Sequence, residues 1–180
     1  MKRIVFIALF GLCISTGVFA QVFVGGAISA VRSVNDTRGT LNVSVAHEIG
    51  YMLNEQWMFG AKLDYRHISI PNTQNSNTFS ATAFGRRELL GKVKWGLWAD
   101  FGIGMSRSLS DAAYYAYIKP LLTYRAGQHF LLKTELDFAA AKLGYAVRET
   151  GDGTLSYALG LNADELANLS DLSIGVLFLF

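Results

Sequence analysis

Apolar and polar residues alternate along most of this chain in runs of strand length. The cleanest run is Val93 to Ser106. Val93, Trp95, Leu97, Ala99, Phe101, Ile103 and Met105 share one parity, with Lys94, Gly96, Trp98, Asp100, Gly102, Gly104 and Ser106 between them. Successive side chains of a strand point to opposite faces, so the run sets an apolar face behind a polar, glycine-rich one. Similar alternation marks Gln21–Val34, Thr40–Leu53, Trp57–His67, Thr78–Leu89, Tyr114–Arg125 and Phe130–Ala140. The final segment places Leu172, Ile174, Val176, Phe178 and Phe180 on one face. The pattern therefore predicts eight strands.

The connections alternate in length. Leu53–Gln56, Leu89–Lys92 and Ala126–His129 are short, whereas Ser33–Gly39, Ile68–Asn77, Arg107–Ala113 and Arg148–Ser170 are longer and more polar. Short turns at one end and long loops at the other are the habit of transmembrane barrels, whose short turns face the periplasm. An even strand count then puts both termini in the periplasm. Within 141–170 the pattern leaves alternatives open. Leu143, Tyr145 and Val147 could extend the seventh strand, turn at Gly151-Asp152-Gly153 and return through Leu155, Tyr157, Leu159 and Leu161. Asn162 and Glu165 have the spacing to cap a short helix. A bulged crossing or a ten-strand count also fits, the latter at the expense of the loop alternation.

The chain is 51% hydrophobic, yet after Ala20 it has no uninterrupted apolar run near the roughly 18 residues that a membrane helix needs. Alternation has to carry the hydrophobicity. A lipid-exposed sheet cannot leave open edges, because unpaired backbone groups there have no water to bind. The predicted fold is therefore all-β, a closed antiparallel transmembrane β-barrel of eight strands, the smallest usual size, with a lumen that side chains can fill.

Residues 1–20 read as a cleaved signal peptide: Lys2 and Arg3, an apolar stretch from Ile4 to Ile14, then Val18-Phe19-Ala20 before Gln21. Residues 21–180 form the barrel domain. The only cysteine, Cys13, falls in the signal segment, so a chain cut after Ala20 has no disulfide framework. Sixteen Lys and Arg face fourteen Asp and Glu. Removing Lys2 and Arg3 makes the balance neutral, which gives no electrostatic case for nucleic-acid binding.

The parity opposite the apolar face carries Glu48, Lys62, Asp64, Arg66, Arg86, Glu88, Lys94, Asp100, Lys119, Arg125, Lys133, Glu135 and Asp137. Buried charges persist only when paired, so these residues are expected to form a salt-bridge network that fills the lumen. A solute path through them is the sharper alternative. A soluble lipocalin-like barrel would invert the pattern and face the charges to water. Against that stand Trp57, Phe59, Trp95, Tyr124 and Phe130, which sit at strand ends beside the short turns like an interfacial girdle.

Three stretches resemble the small outer-membrane β-barrel family related to the OmpA membrane domain and OmpX. They are Ile49 to Trp57, Phe84-Gly85-Arg86-Arg87, and Leu172 to Phe180. The last also resembles the C-terminal signal read by the barrel assembly machinery, with Leu172, Ile174, Val176, Phe178 and Phe180 as its apolar positions. The resemblance implies residence in the outer membrane, contact with its lipid, and assembly by that machinery. A fold of this kind does not fix a function. His67-Ile68-Ser69 further resembles the His-x-Ser of PagL lipid A deacylases, but the sequence continues Ile70-Pro71-Asn72, and the next acid, Glu88, lies on the inward parity. No His, Cys, Asp and Glu spacing points to a metal, and no motif to a cofactor. The expected role is a non-enzymatic envelope or surface-binding protein acting on an external ligand through its loops, above all Arg148–Ser170. A narrow pore and a barrel-surface lipid A deacylase are the alternatives.

Overall fold

The computed structural model describes residues 21–35, 38–69, 75–108, 111–148, 153–159 and 172–180; the signal segment and the Asn162–Glu165 cap lie outside them. Ten strands follow in order: β1 (Gln21–Asn35), β2 (Arg38–Asn54), β3 (Trp57–Ser69), β4 (Ser76–Gly91), β5 (Trp95–Arg107), β6 (Asp111–Arg125), β7 (Phe130–Leu136), β8 (Ala141–Arg148), β9 (Gly153–Leu159) and β10 (Leu172–Leu179). Each of β1 to β6 pairs antiparallel with the next, β7 pairs with β10, and β10 pairs with β1, from Phe23↔Leu179 to Ile28↔Ile174. Eight strands thus close an antiparallel barrel, and over that closed ladder no edge is left.

The remaining two strands, β8 and β9, continue the wall at one end. The ladder from β6 to β7 covers Leu121–Arg125, and the ladder from β6 to β8 covers Asp111–Ile118. Between them stand Lys119 and Pro120, which has no N–H to offer. Opposite, the chain jogs through a 3-10 turn at Asp137–Ala139. The seventh strand, expected to run unbroken to Ala140, is therefore split by this turn. Part of the expected Arg148–Ser170 loop is strand as well, with β9 paired to β8 from Ala141↔Leu159 to Val147↔Gly153. The first predicted loop is also shorter than its polar composition suggests, because the β1–β2 ladder extends to Asn35↔Arg38.

Glu55-Gln56, Lys92–Lys94 and Ala126–His129 join strands at what we call the turn end. Both ends of the described chain meet there: the Phe180 N–H donates to the Val22 carbonyl at 2.9 Å. The other end is the open end.

The barrel is inverted relative to a soluble domain. Ile103 and Ile174 on its outside are 67% and 65% exposed, while Arg86 and Asp100 inside are 0% exposed. Two aromatic rings of side chains edge the outer surface. At the turn end Trp95 lies 4.7 Å from Tyr124, Trp57 5.7 Å from Phe59, and Phe130 5.1 Å from Phe178. Toward the open end Tyr65 lies 4.9 Å from Phe79. Ile174, Val176 and Phe180 of the C-terminal segment are exposed on the apolar outer face. Phe178 stacks on His129 and meets Phe180 edge to face, and the Leu172 side chain is outside the described residues.

Candidate functional site: the barrel lumen

The lumen is built in three levels. At the turn end Phe23, Met52, Met58, Phe84, Trp98, Leu121, Leu131, Leu177 and Leu179 form one buried apolar cluster. Sequence reasoning missed this layer. Its members share the inward parity with the charges, but apolar side chains in an alternating strand give no sign of which face meets lipid. Trp98, the largest of them, donates from Nε1 to Thr123 Oγ1 at 3.0 Å, so its one polar atom is satisfied.

Above that layer, the middle level is ionic. Arg86 Nη2 donates to Glu48 Oε2 at 2.7 Å, and Arg86 Nε faces Asp100 Oδ2 at 3.4 Å, in ion-pair range but without hydrogen-bond geometry. Lys133 Nζ contacts Glu48 Oε1 and Glu135 Oε1, each at 2.7 Å. Lys119 contacts Glu135 and, at 2.8 Å, Asp137 Oδ1, while Lys62 reaches Glu135 at 3.3 Å. The structure thus joins eight of the thirteen expected charges, four acidic and four basic, into one neutral network spanning β2 to β7. Asp137 enters it only because the 3-10 turn swings it onto Lys119.

Packing makes room for these long side chains. A Cβ on Gly175 would lie 2.7 Å from Lys133 Cε, so only glycine lets the lysine cross beside β10. The Arg86 guanidinium rests on the Phe84 ring, 4.1 Å from its centre. Its Nη1 has no hydrogen-bond partner among the described residues. Tyr117 donates to Asp100 Oδ1 at 3.2 Å, capping the network from above.

The third level is a polar vestibule of about 490 Å³ open to the open end. Asp64 and Arg66 line it and close no salt bridge among the described residues. The three other expected members are not in the network at all. Glu88, Lys94 and Arg125 line a separate cavity at the turn end, with Met52, Met58, Trp98 and Leu131 between them and the ions. Lys94 lies before β5 begins, exposed in the turn, where its carbonyl accepts from the Arg125 N–H at 2.7 Å. Their parity still turns them inward, but below the apolar layer, so their level along the barrel keeps them from the network.

On the outer face, His67 Nδ1 lies 2.6 Å from Asn77 Oδ1, and the Tyr65 hydroxyl donates to the same oxygen at 3.0 Å. An amide, not an acid, therefore meets this imidazole. Glu88 sits at the other end of the barrel, its N–H donating to the Gln56 carbonyl. Among the described residues no group of three His, Cys, Asp or Glu side chains comes together as metal ligands.

No protein-family model matches the chain, and no curated protein matches it. Among solved structures it is similar to Neisserial surface protein A, at 13% identity and a TM-score of 0.46, covering 89% of this chain and 97% of that one. It is also similar to OmpT, an outer membrane protein of Vibrio cholerae, at 10% identity and a TM-score of 0.34. That match covers 89% of this chain and 52% of the other, so the chain spans about half the length of OmpT.

Proposed function

We propose that the chain is an integral outer-membrane barrel with a sealed lumen, acting through its open end as a structural or surface-binding element of the envelope. The observation that carries this reading is the inverted polarity of the wall. An apolar belt bounded by aromatic side chains surrounds a neutral, ion-paired interior. Water would solvate the inside well and the outside badly; hydrocarbon does the reverse.

In this reading the turn end and both termini face the periplasm, and β8 and β9 extend the wall outward. The partners are outer-membrane lipid, the assembly machinery that reads the C-terminal segment, and an external ligand at the open end. The network and the apolar layer beneath it argue against a pore, since both stand across the path. We take the chain to be non-enzymatic, because among the described residues the partner of His67 is the Asn77 amide and not an acid. The resemblance to the OmpA and OmpX family fits this reading.

A chain cleaved after Ala20 carries no cysteine, so single cysteines report orientation cleanly. Thr154→Cys on β9 is expected to react with a membrane-impermeant maleimide on intact cells, and Glu55→Cys only after lysis. Labelling of Glu55→Cys on intact cells, or of neither variant after lysis, would overturn the placement.

A further inference from the structure

The vestibule differs from the level below it in one respect. Every charge of the network is paired, whereas among the described residues Asp64, Arg66 and Lys142, which face the vestibule, close no salt bridge. Together they leave one net positive charge at the mouth of a cavity whose floor is neutral. Two hydrogen-bonding atoms of residues that line it, Asn42 Oδ1 on β2 and Ser173 Oγ on β10, on the two strands flanking β1, are buried without a partner among the described residues. Buried polar atoms are normally satisfied, so an unpaired set converging on one space marks where something polar binds.

The wall adds a flat surface. Tyr115 and Tyr117 on β6 lie directly opposite Gly104 and Gly102 on β5. A Cβ on either glycine would come within 2.8 Å of the facing ring, so the rings lie flat against the wall where side chains are absent. The Tyr115 hydroxyl is held by Thr82 Oγ1 at 2.7 Å, which fixes that ring in place. Flat aromatic faces suit the C–H face of a sugar ring, and surrounding hydroxyls suit its hydroxyl groups.

We propose that the vestibule is a closed-bottomed binding cup for a small hydroxylated anion, a sugar acid or a sugar phosphate. The ring would lie against the tyrosines, the Asn42 and Ser173 side chains would turn toward its hydroxyls, and its acidic group would pair with Arg66 and Lys142. A cavity of about 490 Å³ is of the size that holds one or two sugar rings. The sealed floor makes the cup a receptor and not a passage. The proposal rests on the barrel interior alone, whichever way the barrel is oriented.

The test is calorimetric titration of the full barrel, refolded in detergent, with glucuronate, glucose 6-phosphate, glucose and inorganic phosphate. Saturable binding of one equivalent of glucuronate or glucose 6-phosphate is expected, with glucose and inorganic phosphate at least about tenfold weaker. Which of the two binds identifies the acid as carboxylate or phosphate. The double variant Arg66→Gln, Lys142→Gln should lose at least about tenfold in affinity while keeping the heat-dependent gel shift of a folded barrel. Lys92→Gln, at the opposite end, should bind as the wild type does. Failure of both sugar anions to bind, equal binding of glucose or of inorganic phosphate, or unchanged affinity in the double variant would overturn the proposal. Failure of orientation in the cysteine experiment would leave this result untouched, so the two readings fall separately.

Discussion

Arg86 on β4 reaches Glu48 on β2 at 2.7 Å, with β3 lying between their strands. The contact runs inside the barrel and skips a strand, so it exists only once the sheet has curled. Both side chains are buried, and each has a second partner: Asp100 for Arg86 and Lys133 for Glu48. Removing one member of such a set strands the others in a place with no water.

Arg86→Leu should therefore destabilise the barrel by about 3–5 kcal/mol, because Glu48 and Asp100 lose their cation together. Adding Glu48→Gln and Asp100→Asn to that variant should recover part of the loss, since no charge then remains unpaired around it. Urea unfolding of barrels refolded in lipid vesicles measures both. Equal stability of Arg86→Leu and wild type would contradict the network.

A lysine on the outer face should be costly, and one in the vestibule should not. Ile103→Lys is expected to cost about 2–4 kcal/mol if its position lies near the bilayer midplane. Ser80→Lys, which faces the vestibule, should change stability by less than about 0.5 kcal/mol, as surface changes usually do. The same vesicle assay compares them, and similar costs at the two positions would sink the assignment of faces.

At Gly175 a side chain would meet both the neighbouring strand and a lumen cation. A valine there would press on the Gly26 carbonyl, the Ala27 Cβ and the Lys133 side chain together. Overpacking a tight site costs about 1–3 kcal/mol even when the surroundings can shift. Here two of the three contacts are with the neighbouring strand β1, so Gly175→Val should not yield the heat-shifted band of a closed barrel. A normal band would show that β1 and β10 tolerate a wider seam.

The C-terminal segment can be separated into strand and address. Phe180 meets Phe178 edge to face at 4.7 Å but is 65% exposed. Phe180→Ser should leave refolding from urea into detergent unchanged. In cells it should lower the folded, membrane-inserted fraction several-fold, measured by fractionation and gel shift. An equal loss in both settings would make the residue structural only.

Much of this architecture is legible in the residues. Seven internal segments and the C-terminal one became the eight closing strands, because each carries a period of two that survives from turn to turn. Partner choice is not legible: nothing local ties Lys133 to Glu48, since that pairing depends on closure. Lys94 illustrates the other limit. It shares the parity of Asp100 along the chain, but β5 begins after it, and it stands in the turn with the apolar layer between it and the ions. The jog at Asp137 is hidden because one turn of 3-10 helix keeps apolar residues on both sides of it. The apolar layer around Trp98 and Leu177 is hidden for a simpler reason, as lipid-facing and lumen-facing hydrophobes look alike in sequence.

The most direct test of a sealed lumen is electrical. Purified wild-type barrel reconstituted in a planar bilayer should give no discrete channels, because the ionic level and the apolar layer both cross the path. Reproducible unitary conductance from wild type, altered by Arg86→Gln or Lys133→Gln, would show a continuous water path and contradict the account.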